Sequence, residues 1–330
     1  MRAVIASRPG GPDVLEVVER PSPSPGPEDL LVEVAATAVN RADLLQRRGR
    51  YPAPAGATDV LGLEAAGTVV AMGEAAAAHG RWRIGDRVMT VLAGGGYAEQ
   101  AVVPAAVAMP VPACLGLTEA GAVAEVFLTA YDNLLLRGRL AAGETLLVHG
   151  GTSGIGTAAI QLARRAGCRV LVTASTPDKL AAARALGADE GIDYTAEDFT
   201  ARARQLTGDR GVDVLLDVVG GPYLQPNLRA LAVEGRLVVI GLQGGSSGEL
   251  DMGLLLTRRL SISGSTLRAR STQDKRRLVE RFQAEVLPGF DDGSLRPVVD
   301  RVFDLHDAAA AHRLMEAGTH VGKIVLRVNA

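Results

Sequence analysis

The chain has 330 residues, 47% hydrophobic and 22% charged, with a formal net charge of −2, which describes an ordinary globular protein long enough for two domains. No basic block stands out, which argues against nucleic acid or an anionic membrane surface as the main partner. The two cysteines, Cys114 and Cys168, have no CxxC partners, which excludes a disulfide framework and a cysteine zinc site.

In chain order, the first residues, MRAVIASRPGG, lack the apolar core of a signal peptide, so a cytoplasmic protein is expected. Residues 21–27 are rich in Pro and Ser and read as an extended loop. Short β-type runs at 30–34 and 67–70 are separated by glycine and proline turns. Gly85-Asp86 leads into another strand, and 94–97 is a glycine-rich turn. This third of the chain predicts a barrel-like antiparallel domain. The longest uncharged stretch, 100–118, contains Pro104, Pro110 and Pro112, so it is no membrane helix.

From about residue 122 strands and helices alternate. Strands at 145–148, 169–173, 212–219 and 236–240 enclose helices that include 177–186 and 196–206, and another strand falls at 259–263. Such alternation gives a parallel sheet with right-handed crossovers. Helices near 272–282 and 307–316 and a strand at 323–328 follow.

The most informative stretch is 146–169, LLVHGGTSGIGTAAIQLARRAGCR. An apolar strand runs into a glycine cluster, which opens into an amphipathic helix with Ile155, Ala158, Ala159, Leu162, Ala163 and Ala166 on one face. That order presents free backbone N–H groups and a positive helix end to a pyrophosphate. The middle glycine of G-x-G-x-x-G is replaced by Ser153, between Gly151 and Gly156. A plain tight turn is the competing reading.

NAD sites place an acid at the end of the second strand, about 20 residues beyond the first glycine. Here that strand ends Thr173-Ala174-Ser175-Thr176, with no acid. Thr176-Pro177 reads as a helix cap and first helical position. Lys179 in the first turn opposes the helix dipole and suits a 2′-phosphate; an incidental surface lysine is the alternative. Tyr194, ending the next strand, offers a hydroxyl or simply packs.

At this point the chain resembles the medium-chain dehydrogenase/reductase superfamily. Its zinc alcohol dehydrogenases carry a Cys where this chain has Asn40, and Gly-His-Glu where it has Gly62-Leu63-Glu64; the four-cysteine lobe is also absent. The runs NRADL (40–44), LGLEAAG (61–67), GIGTAAIQL (154–162) and VGKIVL (321–326) are similar to those of zinc-free, zeta-crystallin-like quinone oxidoreductases, nearest the tumour-suppressor-inducible branch. The resemblance implies an α/β protein. A discontinuous GroES-like β-barrel catalytic domain would span 1–121 and 264–330, and a Rossmann-type doubly wound parallel sheet domain 122–263. The cofactor implied is NADPH and no metal is implied. Relatives pair the 259–263 strand across a two-fold axis, so a homodimer is expected.

The resemblance further implies that Thr129 touches the nicotinamide and that Ser153, Gly154, Ile155 and Gly156 hold the pyrophosphate. Ser175, Lys179 and Tyr194 would hold the 2′-phosphate end, and Gly241, Leu242, Thr266, Leu267 and Arg268 would line the cofactor cleft. Asp43 is expected beside the cofactor, orienting its neighbours.

Reducing a quinone needs a hydride donor, a dry pocket and one or two hydrogen-bond donors for the oxygen that gains charge. Asn40 and Tyr51 are the candidate catalytic donors, with the Ser153 hydroxyl a third. Glu64 reads either as a satisfied core carboxylate or as catalytic, Tyr51 either as donor or as packing lid, and His149 as structural. Two other functions remain open: reduction of activated C=C bonds in 2-enals, enones or enoyl thioesters, and a non-catalytic NADPH-binding structural or nucleic-acid-associated role.

Overall fold

In the stretch Asp29–Ala38, Leu30, Val32, Val34, Ala36 and Ala38 are all buried, the period-two pattern of a strand with one face in a core. In the computed structural model, which describes residues 1–328, this strand is the centre of a seven-stranded sheet. It pairs antiparallel with Glu64–Met72, Gln100–Pro104 and Lys323–Arg327. The sheet is antiparallel as expected except at one edge, where Val299–Asp304 runs parallel to Lys323–Arg327. The helix Ala308–Ala317 lies between those two strands in sequence and supplies the crossover that parallel pairing needs. A separate hairpin pairs Arg2–Ala6 with Leu15–Glu19.

The second sheet has six strands, all parallel, in the spatial order Glu190–Asp193, Arg169–Ala174, Thr145–His149, Val212–Asp217, Leu231–Val239, Ser261–Gly264. Numbered along the chain this is 3-2-1-4-5-6, the order of a doubly wound dinucleotide-binding sheet. Leu147, Leu171, Ile192, Leu215 and Leu237 are fully buried in its core, each worth about 1.5–3 kcal/mol of transfer free energy.

Two compact units result, Met1–Leu128 with Leu267–Ala330, and Thr129–Thr266. The first boundary lies later than the expected 121/122, because the N–H of Glu125 donates to the Glu64 carboxylate and ties the start of helix Ala124–Tyr131 to the first unit. The second lies three residues later than 263/264, because Leu267 and Arg268 are buried with the first unit. The last strand of the parallel sheet begins at Ser261 and not 259, since Arg259 takes a positive φ of 51° that ends extended pairing. The helix expected from 196 starts at Phe199, where Asp198 caps it by accepting from the N–H groups of Thr200 and Ala201.

Candidate active site

In the second unit, the strand Thr145–His149 ends in a turn that feeds the helix Gly154–Arg165. Ser153 is its N-cap; its Oγ accepts from the Gly156 N–H at 3.0 Å, which leaves the hydroxyl proton free to donate outward. The N–H groups of Gly154 and Ile155 have no partner among the described residues, and both residues are half-buried. Gly156 admits no side chain, as a Cβ there would lie 2.4 Å from the Gly150 carbonyl oxygen. A close-packed turn with outward N–H donors at a helix start fits a pyrophosphate.

The neighbouring strand Arg169–Ala174 ends as expected, with half-buried Ser175, then Thr176 accepting from the Lys179 N–H at 3.3 Å above Pro177. Asp193 pairs with Ala174, which sets Tyr194 beside Ser175 at the same end of the sheet. Ser175, Lys179 and Tyr194 therefore gather at the carboxyl ends of adjacent strands, where such sheets bind ligands. Gly241 and exposed Leu242 follow the strand Leu231–Val239 at that end, and Thr266 follows Ser261–Gly264. Thr129, half-buried on helix Ala124–Tyr131, accepts the Asn133 side-chain amide on its carbonyl.

His149 is structural. It is buried, bonded to Thr173 and Asn227 at 3.0 and 2.7 Å, and burial pulls its pKa down to about 4.

The first unit collects a second set of polar side chains. Lys323 is buried, and its ammonium meets three oxygens: the Val39 carbonyl at 3.0 Å, Asn40 Oδ1 at 2.6 Å and Glu64 Oε1 at 2.9 Å. Those use all three of its donors. Glu64 also accepts from Asn40 Nδ2 at 2.9 Å and from the Glu125 N–H at 3.0 Å. Glu64 is thus the satisfied core carboxylate, with Lys323 as its counter-ion.

Asn40 does not serve as the expected free donor. The second hydrogen of its amide goes to the Ala38 carbonyl at 3.1 Å, and the ammonium of Lys323 fixes the oxygen's orientation, so no N–H is left for a substrate. Asp43 likewise is not placed to touch a cofactor. It is fully buried, its Oδ2 accepts from the Asn40 N–H and the Tyr97 hydroxyl, and burial raises its pKa to about 6.

Behind Asp43 a chain of hydrogen bonds that sequence reasoning missed runs Arg47, His312, Tyr97, Asp43. Arg47 has no acceptor to offer, so His312 Nδ1 accepts, its Nε2–H donates to the Tyr97 oxygen, and Tyr97 donates to Asp43. Burial and Arg47 hold His312 neutral, with its pKa down to about 3.

Arg268 is buried rather than open to ligand. It donates to Ala93, Tyr51 and Gln46, and its guanidinium lies 5.4 Å from the Tyr51 ring centroid. Lys275 in turn donates to the Arg268 carbonyl at 2.7 Å. Tyr51 is half-buried with its ring so held, and its hydroxyl has no partner among the described residues; desolvation raises its pKa, keeping it a proton-bearing donor.

A doubly wound parallel sheet with an N–H cradle, joined in one chain to a mixed sheet with a polar buried cluster, defines a dinucleotide-dependent oxidoreductase of the medium-chain dehydrogenase/reductase type. Residues 26–113 match the alcohol dehydrogenase GroES-like domain family, and 154–284 the zinc-binding dehydrogenase family. The chain is 32% identical to a quinone oxidoreductase of Lama guanicoe over 99% of its own length and 97% of the relative's. It is 33% identical to part of a mycocerosic acid synthase-like polyketide synthase of Mycolicibacterium smegmatis, spanning 99% of this chain but 15% of that protein. Among solved structures, a mycobacterial protein complexed with NADPH superposes with a TM-score of 0.91, at 32% identity, covering 99% of this chain and 100% of that one. The chain belongs to the quinone oxidoreductase family of medium-chain dehydrogenase/reductases.

Proposed function

We propose that this protein is an NADPH-dependent, metal-free quinone reductase. The observation that carries the reading is the full-length likeness to a quinone oxidoreductase, joined to a nucleotide strand that ends in Ser175 and Thr176 without an acid. NADPH, when bound, supplies the hydride. Gly154, Ile155 and Ser153 hold the pyrophosphate through N–H and O–H donors, and Ser175, Lys179 and Tyr194 take the 2′-phosphate. Thr129, Gly241, Leu242, Thr266 and Leu267 line the remainder. The Tyr51 hydroxyl, not Asn40, donates to the substrate oxygen as it gains charge. Zinc is not used: of the two positions that hold metal ligands in zinc relatives, Leu63 has no donor atom and Asn40 is held by Lys323, the counter-ion of Glu64.

Reduction of an activated C=C bond is the second reading, favoured by the likeness to the polyketide synthase segment. The deciding assay is NADPH oxidation after exhaustive chelation, with an ortho-quinone and with a 2-enal in parallel. Faster turnover of the quinone, undiminished by chelation, is expected. Turnover of the enal alone replaces the quinone reading, and loss of activity restored by zinc overturns the metal-free one.

A further inference from the structure

Six charged or ionisable side chains lie within electrostatic reach of Glu125 in the first unit. Glu64 comes from strand Glu64–Met72, Asp43 from helix Arg41–Arg47, Lys323 from strand Lys323–Arg327, and Lys275 from helix Thr272–Glu285. Tyr51 and Arg268 feel its charge as well. Most of these are committed to other contacts: Glu64 to Lys323 and Asn40, Asp43 to Tyr97, Arg268 to three oxygens, and Lys275 to the Arg268 carbonyl. Glu125 differs. Its backbone is clamped by the N–H bond to Glu64, yet its carboxyl has no hydrogen-bond or ion-pair partner among the described residues, and the residue is half-buried. Like the Tyr51 hydroxyl, it is a partly exposed polar end without a protein partner; Asp43 Oδ1 also lacks one but is fully buried.

Resting on the quinone-reductase reading above, we propose that Glu125 is a further catalytic residue, the general acid that gives its proton to the substrate oxygen. The balance is simple. The quinone gains a hydride from NADPH, which leaves as NADP⁺, and the new O–H bond forms with the carboxyl proton. The Glu125 carboxylate then regains a proton from water, so that one quinone, one NADPH and one solvent proton give one hydroquinone. Loss of hydration and the adjacent Glu64 charge push the Glu125 carboxyl up to about 8, so it carries its proton at neutral pH. A proton donor with that poise suits work near pH 7.

The test combines a titration with kinetics. Carbon-13 NMR of glutamate side chains in the protein without cofactor, assigned by comparison with Glu125→Gln, is expected to show one carboxyl titrating near 8; an ordinary midpoint near 4.5 overturns the proposal. In the parent, kcat with an ortho-quinone should fall as pH rises through about 8. Glu125→Gln should lower kcat by about 10- to 100-fold and lose that alkaline limb, with NADPH affinity unchanged. Glu125→Asp should restore much of the rate and the limb, and it gives the same reading by itself if the Gln variant does not fold. An active parent whose Gln variant keeps both rate and limb overturns the role of Glu125 alone. A parent that reduces no quinone overturns the functional reading together with it.

Discussion

Lys323 sits in an apolar strand with its ammonium fully enclosed, a position that would be untenable without Glu64. Removing one member of a buried pair costs more than the pair contributes, because the other charge stays behind. Lys323→Met is therefore expected to lower stability by about 3–5 kcal/mol in urea unfolding. The double variant Lys323→Met with Glu64→Gln should recover a large part of that loss. Tyr51 belongs to the opposite kind of residue, with a free polar end. Tyr51→Phe is expected to lower quinone turnover by about 10- to 1000-fold, the upper end matching loss of a dedicated oxyanion donor, with cofactor affinity unchanged. Turnover within twofold of the parent over several quinones would make Tyr51 a packing residue. Charge is also withheld at two of the five histidines. His149 and His312 have pKa values lowered to about 4 and about 3, so their ring resonances should barely move in an NMR titration from pH 8 down to about 6, where an ordinary histidine is largely protonated.

At the scale of elements, the turn after Thr145–His149 and the cap before Pro177–Ala185 build the two ends of the cofactor cradle. Lys179→Ala is expected to weaken NADPH binding by about 1–3 kcal/mol, the loss of one hydrogen bond to a charged group, and to leave NADH binding nearly unchanged. Equal losses, measured by calorimetry, would remove Lys179 from the 2′-phosphate site. Both elements are legible from sequence because their signals are local: an apolar run, a glycine turn and a 3.6-residue period lie side by side, as do Thr176 and Pro177. The polar cluster is not local. Glu64 and Lys323 meet from strands far apart in the chain, and Tyr97 and His312 meet from a bend and a helix similarly distant, so no spacing announces them. The trace they leave is a charged residue inside an apolar run, Glu64 in LGLEAAG and Lys323 in GKIVL. Each is costly alone, and the opposite signs invite pairing. By residue type Asn40 reads as a donor; only the positions of Lys323 and Ala38 reveal that its donors are spent.

At the scale of the whole molecule, the strand Ser261–Gly264 pairs, among the described residues, on one side only, with Leu231–Val239. Leu250, Met252, Leu256 and Ile262, on or just before it, are exposed apolar residues. Exposed edges of this kind are usually covered or paired, and two-fold pairing of the same edge gives a homodimer. Light scattering is expected to give the dimer mass at micromolar concentration, and Leu256→Glu with Ile262→Lys the monomer mass; a monomeric parent contradicts the dimer. The placing of Lys323–Arg327 between Asp29–Ala38 and Val299–Asp304 has a temporal consequence. A ribosome makes Glu64 and Asn40 early and their ammonium partner only after all of the second unit has emerged. The nascent first unit waits with its central strand lacking a neighbour and its core carboxylate lacking a counter-charge, while the parallel sheet, finished by Thr266, is free to fold ahead of it. In this chain the domain begun first is completed last.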